Sequence, residues 1–143
     1  MPEKSIGKYV SIISRYLNYY INKKVKDFKI NKTQVEILMV LYYEEGINQY
    51  QLGERLMLDK ITITKQLGNL IEEGYARKES GREDKRVREL YVTDKGFEIK
   101  NEIEKILKEA TEVLAKDFDE EENKIIRKLL KRMSYNIYQE VNK

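Results

Sequence analysis

Two short stretches of this chain gather side chains suited to anions and to polar edges. One is Asp59-Lys60-Ile61-Thr62-Ile63-Thr64-Lys65-Gln66, with Asn69 just beyond; the other is Arg82-Glu83-Asp84-Lys85-Arg86. Lysine ammonium and threonine hydroxyl groups suit phosphate oxygens, and Gln66 or Asn69 can pair with the edge of a base. A guanidinium at the tip of a loop fits a narrow groove where negative potential is focused. This is chemistry of contact rather than of bond making. The chain has no Cys and no His, so a thiol nucleophile, a disulfide, a Cys/His zinc site and a Ser-His-Asp triad are all excluded. An enzyme built on carboxylates alone would want its acids at strand ends or in a glycine-lined cleft, and here they sit on what read as solvated helix faces. The chain is read as a non-enzyme, with no cofactor and no metal.

The charge distribution points the same way. Net charge is only +3, but residues 3–32 carry eight Lys/Arg against two acids, and residues 60–88 carry eight against five. Over residues 94–122 the acids lead eleven to five. A basic start and middle with an acidic later part suits one face turned toward a polyanion. From charge alone an ordinary solvated surface reads the same way. Apolar runs are only a few residues long, too short to span a bilayer. The first residues lack the apolar run of a signal peptide. No membrane contact and a cytoplasmic location are therefore expected. A length of 143 residues suits one domain with one core.

Hydrophobic spacing supplies the elements that must position these residues. Ile6, Tyr9, Val10, Ile13, Tyr16, Leu17, Tyr20 and Ile21 recur at three and four, predicting a helix over about 4–26. Asn31 and Gln34 have the spacing of a capping box and open a second helix, closed near Gly46. Asn48 and Gln51 repeat the pattern for a short third helix. After Met57-Leu58-Asp59 a fourth runs from Lys60 to about Glu73, stopped by Gly74. Two short helices joined by so tight a turn predict a helix-turn-helix. The period then changes to two over 75–79 and 86–92, a hairpin whose tip is 80–84. A long helix follows from a Thr93-Asp94 cap. Its apolar stripe runs to Leu114, and a break over 116–119 leads to a last helix with Glu120, Glu121 and Glu122 in its first turn. The fold class is mostly α with one small β-hairpin.

Leu52, Leu56, Thr62-Ile63-Thr64-Lys65, Leu70, Gly74-Tyr75, Asp84-Lys85-Arg86 and Val92-Thr93-Asp94-Lys95-Gly96 together resemble the multiple-antibiotic-resistance regulator (MarR) family. The resemblance covers residues 31–96, and its most specific part is Asp-x-Arg followed by Thr-x-x-Gly. It implies a single MarR-like domain over 1–143. A winged helix-turn-helix of about 31–93 would be flanked by dimerisation helices at about 4–26 and 94–141. It implies a transcription regulator, in all expectation a repressor, bound to a pseudo-palindromic operator in double-stranded DNA. Arg86 becomes the wing-tip arginine and Asp84 the acid that orients the wing. Thr62, Thr64, Lys65 and Asn69 fall on recognition-helix positions, with Lys60, Gln66, Arg82 and Lys85 as further DNA contacts. Gly53 and Ile71 depart from the usual pattern. So does Gly68, inside the recognition helix, where glycine costs about 1 kcal/mol relative to Ala. Close packing against another helix is its expected reason.

The first and last helices carry apolar stripes that a small central domain cannot cover, so a homodimer is expected. The resemblance also implies a small aromatic effector. Eleven tyrosines are present, and Tyr16, Tyr20 and Tyr42 are the candidate effector residues. A tyrosine stripe serves equally well as core and interface. A competing class is a protein-interaction module that has lost DNA contact; Arg82, Lys85 and Arg86 speak against it.

Overall fold

A computed structural model describes residues 4–143. Contacts divide the chain into two compact units, one ending at Ala110 and the other Thr111–Lys143. The described residues form seven α-helices and one hairpin. They run α1 (Ile6–Val25), α2 (Lys32–Tyr43), α3 (Gln49–Leu56), α4 (Lys60–Glu72), β1 (Ala76–Ser80), β2 (Arg88–Val92), α5 (Asp94–Glu98), α6 (Lys100–Leu114) and α7 (Glu120–Val141). A single 3₁₀ turn, Lys26–Phe28, joins α1 to α2.

Local chemistry explains the helix starts. Both predicted capping boxes close. The Asn31 side chain accepts from the Gln34 N–H at 2.9 Å while the Gln34 carboxamide accepts from the Asn31 N–H at 2.9 Å. Asn48 and Gln51 do the same at 2.8 and 3.1 Å. Asp59 caps α4 through the Thr62 N–H at 2.7 Å. A third box, Asp119 with Glu122, opens α7. At the other end of α4, Gly74 takes φ +86° and the chain turns into β1.

The first unit packs around α2, whose Val35, Ile37, Leu38 and Leu41 are fully buried. Leu52 of α3, Ile63, Leu67 and Leu70 of α4, Leu90 of β2 and Ile103 of α6 close around them. Burying each such side chain contributes roughly 1.5–3 kcal/mol. The strands pair antiparallel, Ala76 opposite Val92 through Ser80 opposite Arg88. The outer edge of β2 is also occupied: Leu90 donates to the Ile47 carbonyl and accepts from the Gly46 N–H, each at 2.9 Å. The α2–α3 connection therefore anchors the hairpin to the helices, a third-strand role that no period-two pattern in the sequence announced.

Several element ends shift by one or two residues, β1 lying at 76–80 rather than 75–79, and two differences have a visible cause. Strand β2 begins at Arg88 rather than Arg86, because Gly81 and Val87 close a tight loop through a 2.7 Å backbone hydrogen bond. The long helix expected after Thr93 is interrupted at Ile99. There the Tyr42 hydroxyl donates to the Gly96 carbonyl at 2.7 Å, the acceptor an unbroken helix would offer the Lys100 N–H.

The stripe of α1 buries only its C-terminal end, Ile21 and Val25; Ile6, Tyr9, Val10, Ile13 and Tyr16 lie exposed. In the second unit no residue of α7 is buried, and Ile125, Leu129, Leu130, Ile137 and Val141 are open to solvent. No described helix is long and apolar enough to cross a membrane.

Candidate nucleic-acid interface

Helix α4 lies with Ile63, Leu67 and Leu70 in the core and its other faces toward solvent. Lys60, Thr64, Lys65 and Asn69 are exposed, Thr62 and Gln66 half-buried. The structure sorts these nominated residues into two groups. The side chains of Lys60, Lys65 and Asn69 make no hydrogen bond or ion pair with described residues, so they are free for a partner. The others are already engaged. The Thr62 hydroxyl donates to Asp59 at 3.0 Å; the Thr62 backbone N–H, at 2.7 Å, and then this hydroxyl hold the Asp59 carboxyl below its usual range. The Thr64 hydroxyl donates to the Lys60 carbonyl at 2.8 Å and accepts from Gln49 at 2.6 Å. Gln66 accepts from the Asn31 side chain at 2.9 Å. Thr64 and Gln66 thereby tie α4 to the N-termini of α3 and α2. Gly68 also departs from expectation: a Cβ there would meet nothing within 4 Å, so no helix of this chain packs against it.

The hairpin tip carries Arg82, Lys85 and Arg86, all exposed. Asp84 grips Arg86 at three points: its carboxylate accepts from the Arg86 backbone N–H at 3.0 Å and from Nε and one terminal nitrogen at 3.1 Å each. The fork holds the Asp84 carboxyl below its usual range. Arg86 nevertheless keeps 91% of its side chain exposed. It is aimed, and it is open. On the strand below, Arg77 pairs with Glu79 and lies 4.7 Å over the Tyr91 ring. Lys78 and Arg88 line a shallow cleft of about 290 Å³ with Asn48, Gln49 and Tyr50 at the start of α3. A basic strand thus flanks the N-terminus of the first helix of the pair.

This arrangement has clear relatives. The family model described as MarR family matches residues 30–87. The HTH-type transcriptional regulator YybA of Bacillus subtilis is 28% identical over 90% of this chain and 85% of its own length. SarZ, an HTH-type transcriptional regulator of Staphylococcus haemolyticus, is 30% identical over 87% of this chain and 81% of its own. A MarR protein from Peptoclostridium difficile superposes with a TM-score of 0.90 at 33% identity, covering 98% of this chain and 92% of that one. The chain belongs to the MarR family. It is a winged-helix transcription regulator, with α3 and α4 as the helix-turn-helix and β1–β2 as the wing.

In this MarR-family chain the three nominated tyrosines fall into three environments. Tyr42 is buried, its ring 5.7 Å from Phe97 and its hydroxyl proton spent on Gly96; burial pushes its ionisation upward. Tyr16 is exposed, edge-on to Tyr19 at 5.7 Å. Tyr20 is half-buried under the Lys24 ammonium at 5.5 Å. Sequence reasoning missed Gln49, Asn31 and the Gly46-Ile47 edge as the supports of the MarR recognition helix and wing. Asn31 was visible as a cap; nothing in its spacing signals the reach to Gln66.

Proposed function

We propose that this MarR-family regulator seats a homodimer on a pseudo-palindromic operator, α4 entering the major groove and the wing tip following the backbone into the minor groove. The observation that carries the reading is the pairing of one outward face of α4 with Arg86, held by Asp84 and left exposed, both on a single buried core. Lys60, Lys65, Asn69, Arg82 and Lys85 supply further contacts, while Thr62, Thr64 and Gln66 act mainly by positioning the helix. The open apolar stripes of α1 and α7 support the homodimer, since a second copy brings matching stripes. Two copies then present two recognition helices to half-sites about one DNA turn apart. Repression in the cytoplasm, relieved by a small aromatic effector, completes the proposal and rests on family membership.

The test is binding to duplex selected from random sequence, repeated across salt concentrations. Each phosphate neutralised steepens the fall of log affinity with log salt by about 0.9. A symmetric selected motif and a slope of several such increments are expected; no selected motif and a flat salt response overturn the reading.

A further inference from the structure

The outermost line of α4 is unlike the rest of the helix. Helical spacing puts Ile61, Lys65, Gly68 and Glu72 on the face opposite Ile63, Leu67 and Leu70. Ile61 is 83% exposed, the most exposed large hydrophobic side chain among the described residues. It is β-branched at the second position of the helix, a costly choice for a residue that contacts no core. Gly68, on the same line, faces open space and lowers helix stability without serving any packing in this chain. One exposed isoleucine needs no explanation. Two features on one line of a recognition helix, neither accounted for by the fold, require one from outside it.

The neighbouring groups narrow the choice. The hydroxyls of Thr62 and Thr64 are spent on Asp59, Lys60 and Gln49, so the start of α4 offers few free polar readers beside Ile61. Recognition helices read bases with their N-terminal residues. The one apolar group that a base pair presents in the major groove is the 5-methyl of thymine. We propose that Ile61 is a specificity-determining residue that packs on a thymine 5-methyl group in each half-site, and that Gly68 leaves the space that lets α4 sit close enough for it to do so. This rests on the DNA-binding reading above.

The experiment replaces each thymine of a selected duplex by uracil, which removes only the methyl group, and follows binding by fluorescence anisotropy. With the unaltered protein, a replacement in one half-site weakens binding by about fourfold, as expected for one buried methyl-sized group, and the same replacement in both half-sites by about sixteenfold. Ile61→Ala binds the thymine and uracil duplexes alike, with a melting temperature no lower than that of the unaltered protein. Gly68→Ala melts higher and binds more weakly. A uracil penalty that survives in Ile61→Ala, or no thymine whose replacement matters, overturns the assignment of Ile61. Unchanged affinity in Gly68→Ala overturns the close approach. Failure of the unaltered protein to select any duplex is a different result, seen before any substitution, and removes the DNA-binding reading itself.

Discussion

At the scale of residues, the proposed interface would set side chains that touch DNA apart from side chains that aim them, with Arg86 of the first kind and Asp84, which holds it, of the second. Arg86→Ala removes a charge-assisted contact and should weaken operator binding about tenfold. The melting temperature should hold, because the side chain is almost wholly exposed. Asp84→Asn keeps the shape and loses the charge, so its loss of affinity should be smaller and accompanied by a mobile guanidinium. Acid should mimic that variant. Since the Asp84 carboxyl ionises below its usual range, the grip is complete above that range and is lost as pH falls through the lowered value. The Arg86 Nε–H resonance, followed by NMR during acidification, should keep its shift to below about pH 4, the ordinary carboxylate value. A change centred near neutrality would count against the pair.

At the scale of elements, the joints deserve testing more than the helices. Tyr42 connects α2 to the α5–α6 break through one buried hydrogen bond. Tyr42→Phe leaves the Gly96 carbonyl without its donor and should cost about 1–3 kcal/mol in thermal or denaturant unfolding. Asn31→Ala removes both a cap and the tie to Gln66. It should cost about 1 kcal/mol for the cap alone. Because α4 loses its anchor, affinity for DNA should fall as well; a variant that is less stable yet binds normally would show that the tie does not position the recognition helix. Gly96 has a harder constraint. A Cβ there would stand 2.3 Å from the Tyr75 carbonyl and 2.4 Å from Val92, so Gly96→Ala should cost on the order of 3 kcal/mol.

At the scale of the whole molecule, the apolar stripes of α1 and α7 set the expected assembly. A charge on either stripe should be tolerated by the fold, since these side chains are already exposed, and should be costly to an interface that desolvates them. Leu130→Glu should therefore yield a folded monomer by light scattering at micromolar concentration, where the unaltered chain should be a dimer. Monomeric behaviour of the unaltered chain would remove the two-half-site geometry. Helix order, the caps at Asn31 and Asn48, the hairpin and the basic wing tip were legible in the sequence. Each rests on interactions between residues three or four apart, or on a repeat of hydrophobic spacing, and such signals survive in one dimension. Tertiary structure alone decided which polar groups remain free on α4. Gln49 reaches Thr64, Asn31 reaches Gln66 and Tyr42 reaches Gly96, across 15, 35 and 54 residues. A hydrogen bond over such separations depends on where a packed core brings two side chains together, and spacing along the chain carries no record of that distance.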